Sequence, residues 1–325
     1  MSSSEKTYRV IQWMTGDVGQ VGLRHFADNP VFDLVGVLVH SKEKAGKDAG
    51  EIAGIAPIGI TATDDAEAII AMDADCVFYT PIIMDTETVC RLLRSGKNVV
   101  TTSGFFYPTP DFAADGAKIR DACRDGGTSF HAGGIHPGYA GDILPLTLAR
   151  VAGRIDKVEV WEVVNVLTDA PMDHIDWMGF GKEKQKFLSE PTILGLGVPF
   201  FAQSMHMIAD GLGVSIEDVT ADVKAATATE DIPHDEGAIP RGTVAAQHHE
   251  WTAWVEGRPL IVYHAIYLTG GPNQLDPPWE WGRTRYRIVI EGDPPTELTM
   301  QGLVEPDGTM AHPGYTWTAM GAINA

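Results

Sequence analysis

The stretch YRVIQWMTGDVGQVG, residues 8–22, sets the first constraint on the fold. A β-rich apolar run stops at Gly16, and Gly19 and Gly22 come after it at intervals of three. That is the form of a buried strand, a tight turn and a helix that opens on glycines. Glycine suits such a turn because the chain bends sharply and because a Cβ would keep the backbone away from a ligand. The helix start then offers free N–H groups and a partial positive charge to an anion. The usual G-x-G-x-x-G is broken in one place, since Met14 stands where that pattern has its first glycine. The spacing predicts a pyrophosphate-binding turn, with Gly16, Asp17, Val18 and Gly19 against the cofactor. The alternative is a glycine set that only packs a helix on a strand of an unrelated α/β fold.

The segments beyond the turn favour the first reading. FDLVGVLVH (32–40), DCVFYTP (75–81), KNVVTT (97–102) and TSFHAGG (128–134) read as strands. Between them ATDDAEAIIAM, DTETVCRLLRSG and DFAADGAKIRDACRDGG read as helices, the first capped by Thr63 or Asp64. Strand and helix alternating at this spacing imply a parallel sheet with crossover helices. Beyond about residue 140, KVEVWEVVNVL (157–167), residues 243–257, 258–268, 284–292 and 296–304 read as long strands with short joints, and 191–214 as one or two helices. The expected fold is an α/β Rossmann domain over residues 1–140 and an α+β second domain, 141–309, with a large, mostly antiparallel sheet. Residues 310–325 end in a short helix that could return to the first domain.

Dinucleotide folds that hold NAD usually place an acid at the end of the second strand, about 20 positions past the turn. Here that end reads His40-Ser41-Lys42, with an acid only at Glu43. A hydroxyl and an ammonium suit a 2′-phosphate, so Ser41 and Lys42 favour NADP, with NAD accepted as well. The alternative is that Lys42 and Lys44 are solvated loop residues. Thr80 and Ser103, at the ends of the third and fourth strands, complete the cofactor-binding candidates.

The net charge of −20 argues against a nucleic-acid partner or an anionic membrane surface, both of which call for basic patches. Cys76, Cys90 and Cys123 are scattered, which fits a reducing compartment rather than a disulfide framework. No stretch approaches the roughly 20 apolar residues of a membrane span, and no signal peptide is evident, so a soluble cytoplasmic protein is expected.

The glycine turn, the segment VHSKEKAGKDAGEIAG after the second strand and the run GGIHPGYAGDILPL at 133–146 occur together. In this combination the chain resembles the dihydrodipicolinate-reductase-like superfamily, and within it 2,4-diaminopentanoate dehydrogenase and the native amine dehydrogenases. The resemblance implies a second domain that supplies the substrate pocket and dimer contacts, a homodimer, and hydride transfer between a nicotinamide and a C=N or C=O carbon. Dihydrodipicolinate reductase itself is disfavoured, because TDAPMDH (168–174) lacks the lysine and the S-G-T that would hold a dicarboxylate. The amine dehydrogenases carry a glutamate a few residues before a Tyr-Pro that matches Tyr107-Pro108. Here Ser103-Gly104-Phe105-Phe106 brings no acid. Such a wall suits a neutral carbonyl, imine or activated alkene, and Phe105 predicts an apolar substrate.

Carbonyl reduction calls for a donor to the oxygen on which charge develops. His136, Tyr139 and Tyr107 are the catalytic candidates. His136 stands where the relatives often have an asparagine beside the Pro-Gly, and so is also a candidate to hold the cofactor carboxamide. Asp142 and Asn165 are pocket candidates by the same resemblance, although Asp142 could equally cap the helix ILPLTL. MDHIDWMGFG (172–181) reads as a glycine-flanked loop in which His174 and Trp177 could line a substrate lid. His206 is a pocket candidate or a core histidine. Gln247-His248-His249-Glu250 resembles a metal cluster, but on a strand His248 and Glu250 share one face while His249 takes the other, and no metal is expected. Two rivals remain: an amine dehydrogenase in which Asp142 or Asp176 replaces the glutamate, and a non-catalytic NADP-binding sensor or scaffold.

Overall fold

The computed structural model describes residues 7–170, 172–271, 273–279, 284–304 and 313–325. They form two compact units, one of residues up to Tyr139 together with Tyr315–Ala325, the other Ala140–Gly314.

The first unit runs β1 (Tyr8–Trp13), α1 (Asp17–Asp28), β2 (Phe32–Leu38), α2 (Ala49–Ile52), α3 (Ala66–Ala71), β3 (Cys76–Tyr79), α4 (Thr86–Arg94), β4 (Asn98–Thr101), α5 (Ala113–Gly126) and β5 (Phe130–Ala132). The five strands make one parallel sheet in the order β2-β1-β3-β4-β5. Successive strand residues point to opposite faces, and both faces are covered. Ile11, Val77, Tyr79 and Val99 pack with Leu92, Leu93, Ile119 and Ala122 of α4 and α5. Val10, Val37 and Phe78 pack with Leu23 and Phe26 of α1 and with Ala319 and Ala322 near the C-terminus. Two buried faces explain why these strands read as continuous apolar runs. The cap of α3 is Asp65, whose carboxylate accepts the Ala68 N–H at 3.0 Å, rather than Thr63 or Asp64. Thr63 instead accepts the Asp65 N–H one step upstream.

The second unit begins with α6 (Ile143–Ala149), β6 (Arg154–Asn165), α7 (Val166–Asp169), α8 (Met172–Met178), α9 (Lys184–Ser189) and α10 (Thr192–Leu212). It continues through β7 (Asp218–Ala228), β8 (Ile232–His234), β9 (Gly237–Ile239), β10 (Val244–Val255), β11 (Arg258–Leu268), β12 (Leu275–Asp276), β13 (Arg285–Asp293) and β14 (Thr296–Gln301). Seven strands form a sheet in the order β12-β7-β10-β11-β6-β13-β14. Every neighbouring pair is antiparallel except β11 and β6. One face carries the helices. Phe201 of α10 lies 4.7 Å from the Trp251 ring, centroid to centroid, and Trp251 donates its indole N–H to the Leu194 carbonyl at 3.3 Å. The segment read as a loop at 172–181 is α8 through Met178. Its Ile175 and Met178 are buried, and the glycines Gly179 and Gly181 come after the helix rather than interrupt it.

The last helix, α11 (Gly314–Ile323), lies with the first unit from Tyr315 onward. A Cβ on Gly321 would stand 2.7 Å from the Gly134 carbonyl oxygen, so α11 approaches the Gly133-Gly134 turn backbone to backbone. Among the described residues no single helix is long and apolar enough to cross a membrane.

Candidate functional site

The sheet of the first unit reverses its direction of growth between β1 and β3, with β2 outside one and β4 and β5 beyond the other. In open parallel sheets the crevice at such a switch, at the carboxyl ends of the strands, is where ligands bind. The parallel arrangement puts all five carboxyl ends along one edge. Along it, in spatial order, come Ser41 and Lys42 after β2, Gly16 after β1, Thr80 after β3, Ser103 after β4 and His136 after β5. Four strand spacings of about 4.8 Å make that row about 19 Å long.

The turn after β1 is built by a polar lock. Met14, at the place of the missing first glycine, adopts φ +73°, the left-handed conformation. Its carbonyl accepts from Gln12 Nε2 at 2.8 Å and from Thr80 Oγ1 at 3.1 Å, and its N–H donates to Leu38 at 2.9 Å. Gln12 is fully buried and also donates to Thr80 Oγ1 at 3.0 Å. Thr80 therefore braces the turn. Gln12 is absent from the site residues inferred from sequence, although a lone amide inside an apolar strand is a readable signal.

The three glycines do different work. A Cβ at Gly19 would collide with the Met14 carbonyl oxygen, and one at Gly22 would stand 2.8 Å from the Phe78 ring. Those two let α1 lie on the strands. Gly16 is exposed, has an ordinary φ of −69°, and would place a Cβ with nothing within 4 Å. It is the N-cap of α1, yet no side chain caps the helix there. The N–H groups of the first turn, with Asp17 and Val18 among them, are thus left for an external acceptor.

The loop after β2 is held from within. Asp48 accepts from Gly50 N–H at 2.7 Å, Ile58 N–H at 2.9 Å and Gly59 N–H at 2.7 Å, and these donors hold its carboxyl below the usual carboxylate range, Ile58 foremost. Within this loop Lys42 is exposed, and Ser41 Oγ accepts the Glu43 N–H at 3.2 Å. The side chain that reaches the glycine turn is Lys44, whose ammonium donates to the Thr15 carbonyl at 2.9 Å. It adds a positive charge beside the start of α1 that spacing alone did not single out.

At the far end of the row, Ser103 is buried in a turn in which its N–H donates to Thr101 Oγ1 at 3.1 Å. Phe105 packs on α5 and against Phe112 and Phe130 in the core of the first unit. Tyr107 and His136 are partly buried and Tyr139 is 41% exposed.

In the second unit the pocket candidates sit on different elements. Asp142 is buried and caps α6, accepting Ile143 N–H at 2.7 Å and Ser204 Oγ–H at 2.7 Å. Asn165 ends β6 and caps α7 through Leu167 N–H at 3.2 Å. His174 and Trp177 share the exposed face of α8, with ring centroids 5.6 Å apart. His206 is half-buried on α10. A residue not anticipated is Glu162, a buried acid on β6. Burial first, and the Glu162 charge second, push the phenols of Tyr267 and Tyr286 well up. His248 and Glu250 do share a sheet face, and the register adds His264 of β11 to them. Burial pushes His249, on the other face, down to about 4.

The comparisons agree with the two-part fold. The family model for the 2,4-diaminopentanoate dehydrogenase C-terminal domain matches residues 139–316. An amine dehydrogenase of Streptomyces virginiae is 31% identical over 96% of this chain and 89% of its own length. The solved amine dehydrogenase of Mycobacterium smegmatis superposes with a TM-score of 0.78 at 18% identity, covering 98% of this chain and 90% of that one. GenD2 from gentamicin A biosynthesis, solved with NAD, shares the fold at a TM-score of 0.57 and 15% identity, over 99% of this chain and 84% of its own. On the relative and the matched domain together, the chain belongs to the 2,4-diaminopentanoate dehydrogenase and amine dehydrogenase family of NAD(P)-dependent oxidoreductases.

Proposed function

We propose that the chain transfers hydride from a reduced nicotinamide cofactor to the C=O or C=N carbon of an apolar small molecule. The observation that carries this reading is the start of α1, at the switch point of the sheet, uncapped and open at Gly16. The donors there fit a pyrophosphate, which the N–H groups of Asp17, Val18 and Gly19 would hold. The bound nicotinamide supplies the hydride. His136, Tyr107 or Tyr139 would donate the proton to the oxygen or nitrogen that gains charge, and His136 would alternatively hold the cofactor carboxamide. NADPH is the preferred form on the hydroxyl of Ser41 and the ammonium groups of Lys42 and Lys44, with no acid before Glu43. A homodimer is the proposed working state.

The test is turnover of NADPH with a panel of apolar ketones, aldehydes and imines, with and without ammonium. Alcohol or saturated product without ammonium supports the reading. Tight NADPH binding with no turnover on any substrate would turn it into a sensor or scaffold.

Reductive amination is the second reading, favoured by the amine dehydrogenase relative at 31% identity. An ammonium ion or developing amine needs a counter-charge. Asp142 is engaged as a helix cap, which leaves Asp176, exposed on α8, and the buried Glu162 as the acids to test. Amine product that appears only with ammonium, and is lost in Glu162→Gln or Asp176→Asn, would establish it.

A further inference from the structure

We propose that His248, Glu250 and His264 form a site for a borderline divalent transition metal, with Zn²⁺ as the reference ion. The site lies in the second unit, on the sheet face opposite the helices.

Its three donors come from two neighbouring strands. His248 and Glu250 are two apart on β10 and so share a face. The antiparallel register sets Glu250 directly opposite His264 of β11. His248 Nε2 lies 3.0 Å from His264 Nδ1, and His264 Nδ1 lies 3.5 Å from Glu250 Oε2. One ligand atom from each residue falls within 4.8 Å of the others.

Those separations match a coordination shell. Metal–nitrogen bonds of about 2.0–2.1 Å put neighbouring donors of a tetrahedron about 3.4 Å apart. Two imidazoles and a carboxylate with a fourth position open to water is a zinc donor set. Imidazole nitrogens select against calcium and magnesium, which want shells of oxygen.

The surroundings fix the donors. Trp161 of β6 stacks on the His264 ring at 3.6 Å between centroids and 18° between planes. Its indole N–H donates to Glu159 Oε2 at 3.1 Å, and Glu159 also pairs with Lys157, so that acid is already engaged. On β7, Asp222 pairs in register with Glu250, and Lys224 with His248. Asp222 adds negative charge on this face, which Lys224 partly offsets.

The rival account is a simple imidazole–imidazole hydrogen bond across the strands. Full-length protein stripped with a chelator and dialysed against Zn²⁺ or Co²⁺ separates the two. We expect about one ion per chain, Co²⁺ absorption of the intense four- or five-coordinate kind, and a Tm raised by Zn²⁺. Glu250→Gln, a partly exposed change, should weaken binding at least tenfold, and His248→Asn together with His264→Asn should abolish it. His234→Asn on β8 serves as the control and should bind as the parent does. Bound metal below a tenth of an equivalent would overturn the proposal. So would binding unchanged in the correctly folded Glu250→Gln and His248→Asn proteins, since the ion would then sit elsewhere.

Discussion

Met14 holds a backbone conformation that costs a non-glycine residue about 1–2 kcal/mol, and the Gln12–Thr80 lock keeps it there. Its side chain packs on the core of the first unit, which offsets part of that cost. Met14→Gly should therefore fall within about 1 kcal/mol of the parent, while β-branched Met14→Val should lose about 2 kcal/mol. Urea unfolding decides it, and equal stability for both would remove the case for strain. The glycines divide in the same way. Gly16→Ala adds a methyl where nothing stands within 4 Å, so Tm should hold while NADPH affinity drops at least tenfold. Gly19→Ala drives a Cβ into the Met14 carbonyl and should cost about 1–3 kcal/mol of stability. Calorimetry with nucleotide titration separates these outcomes; tight NADPH binding by Gly16→Ala would displace the pyrophosphate from this turn.

Among the elements, the loop after β2 is held by one side chain. Asp48 accepts three backbone N–H groups across residues 50–59, and the same loop carries Lys42 and Lys44. Removing it in Asp48→Ala should loosen the loop and weaken NADPH about fivefold, with the fold intact. The pH dependence has a defined sign. A carboxyl held below its ordinary value stabilises the loop above about pH 4 and loses that effect as pH falls further. Exchange protection of the Ile58 and Gly59 amides should fall in that acid range in the parent and be low at all pH in Asp48→Ala. Lys44→Ala should weaken NADPH more than Lys42→Ala, since the Lys44 ammonium is the one seated at Thr15; the reverse order would return the role to Lys42.

The elements also show what a sequence alone can and cannot reveal. The parallel sheet was legible because strands buried on both faces leave unbroken apolar runs, and the glycine turn because its spacing is a backbone requirement. β7 was not legible, since DVTADVKAATA is polar and half-exposed along most of its length. α8 was hidden by the glycines just beyond its end. The contact of Lys44 with Thr15 and the place of His264 beside His248 and Glu250 escaped notice for one physical reason. Each residue acquires its partner through a loop path or a strand register, and neither leaves a mark in local spacing. That Ser103-Gly104-Phe105-Phe106 carries no acid is read directly from the sequence.

At the scale of the whole chain, a net charge of −20 implies self-repulsion that salt will screen. Raising NaCl from about 50 to about 500 mM should increase Tm by about 2–5 °C, and a falling Tm would contradict that account. The first unit is discontinuous in sequence. Ala319 and Ala322 are buried against Val10, Leu23 and Phe78, with Gly321 against Gly134. Deleting Tyr315–Ala325 should therefore lower the unfolding transition of the first unit and spare that of the second. That discontinuity also orders events on the ribosome. The second unit has all of its chain by Gly314, whereas the first, although translated earliest, waits for residue 322 to emerge before its core can close. In this protein the half synthesised first would be the half that finishes last, and its sheet face still uncovered by α11 would be what a chaperone meets during translation.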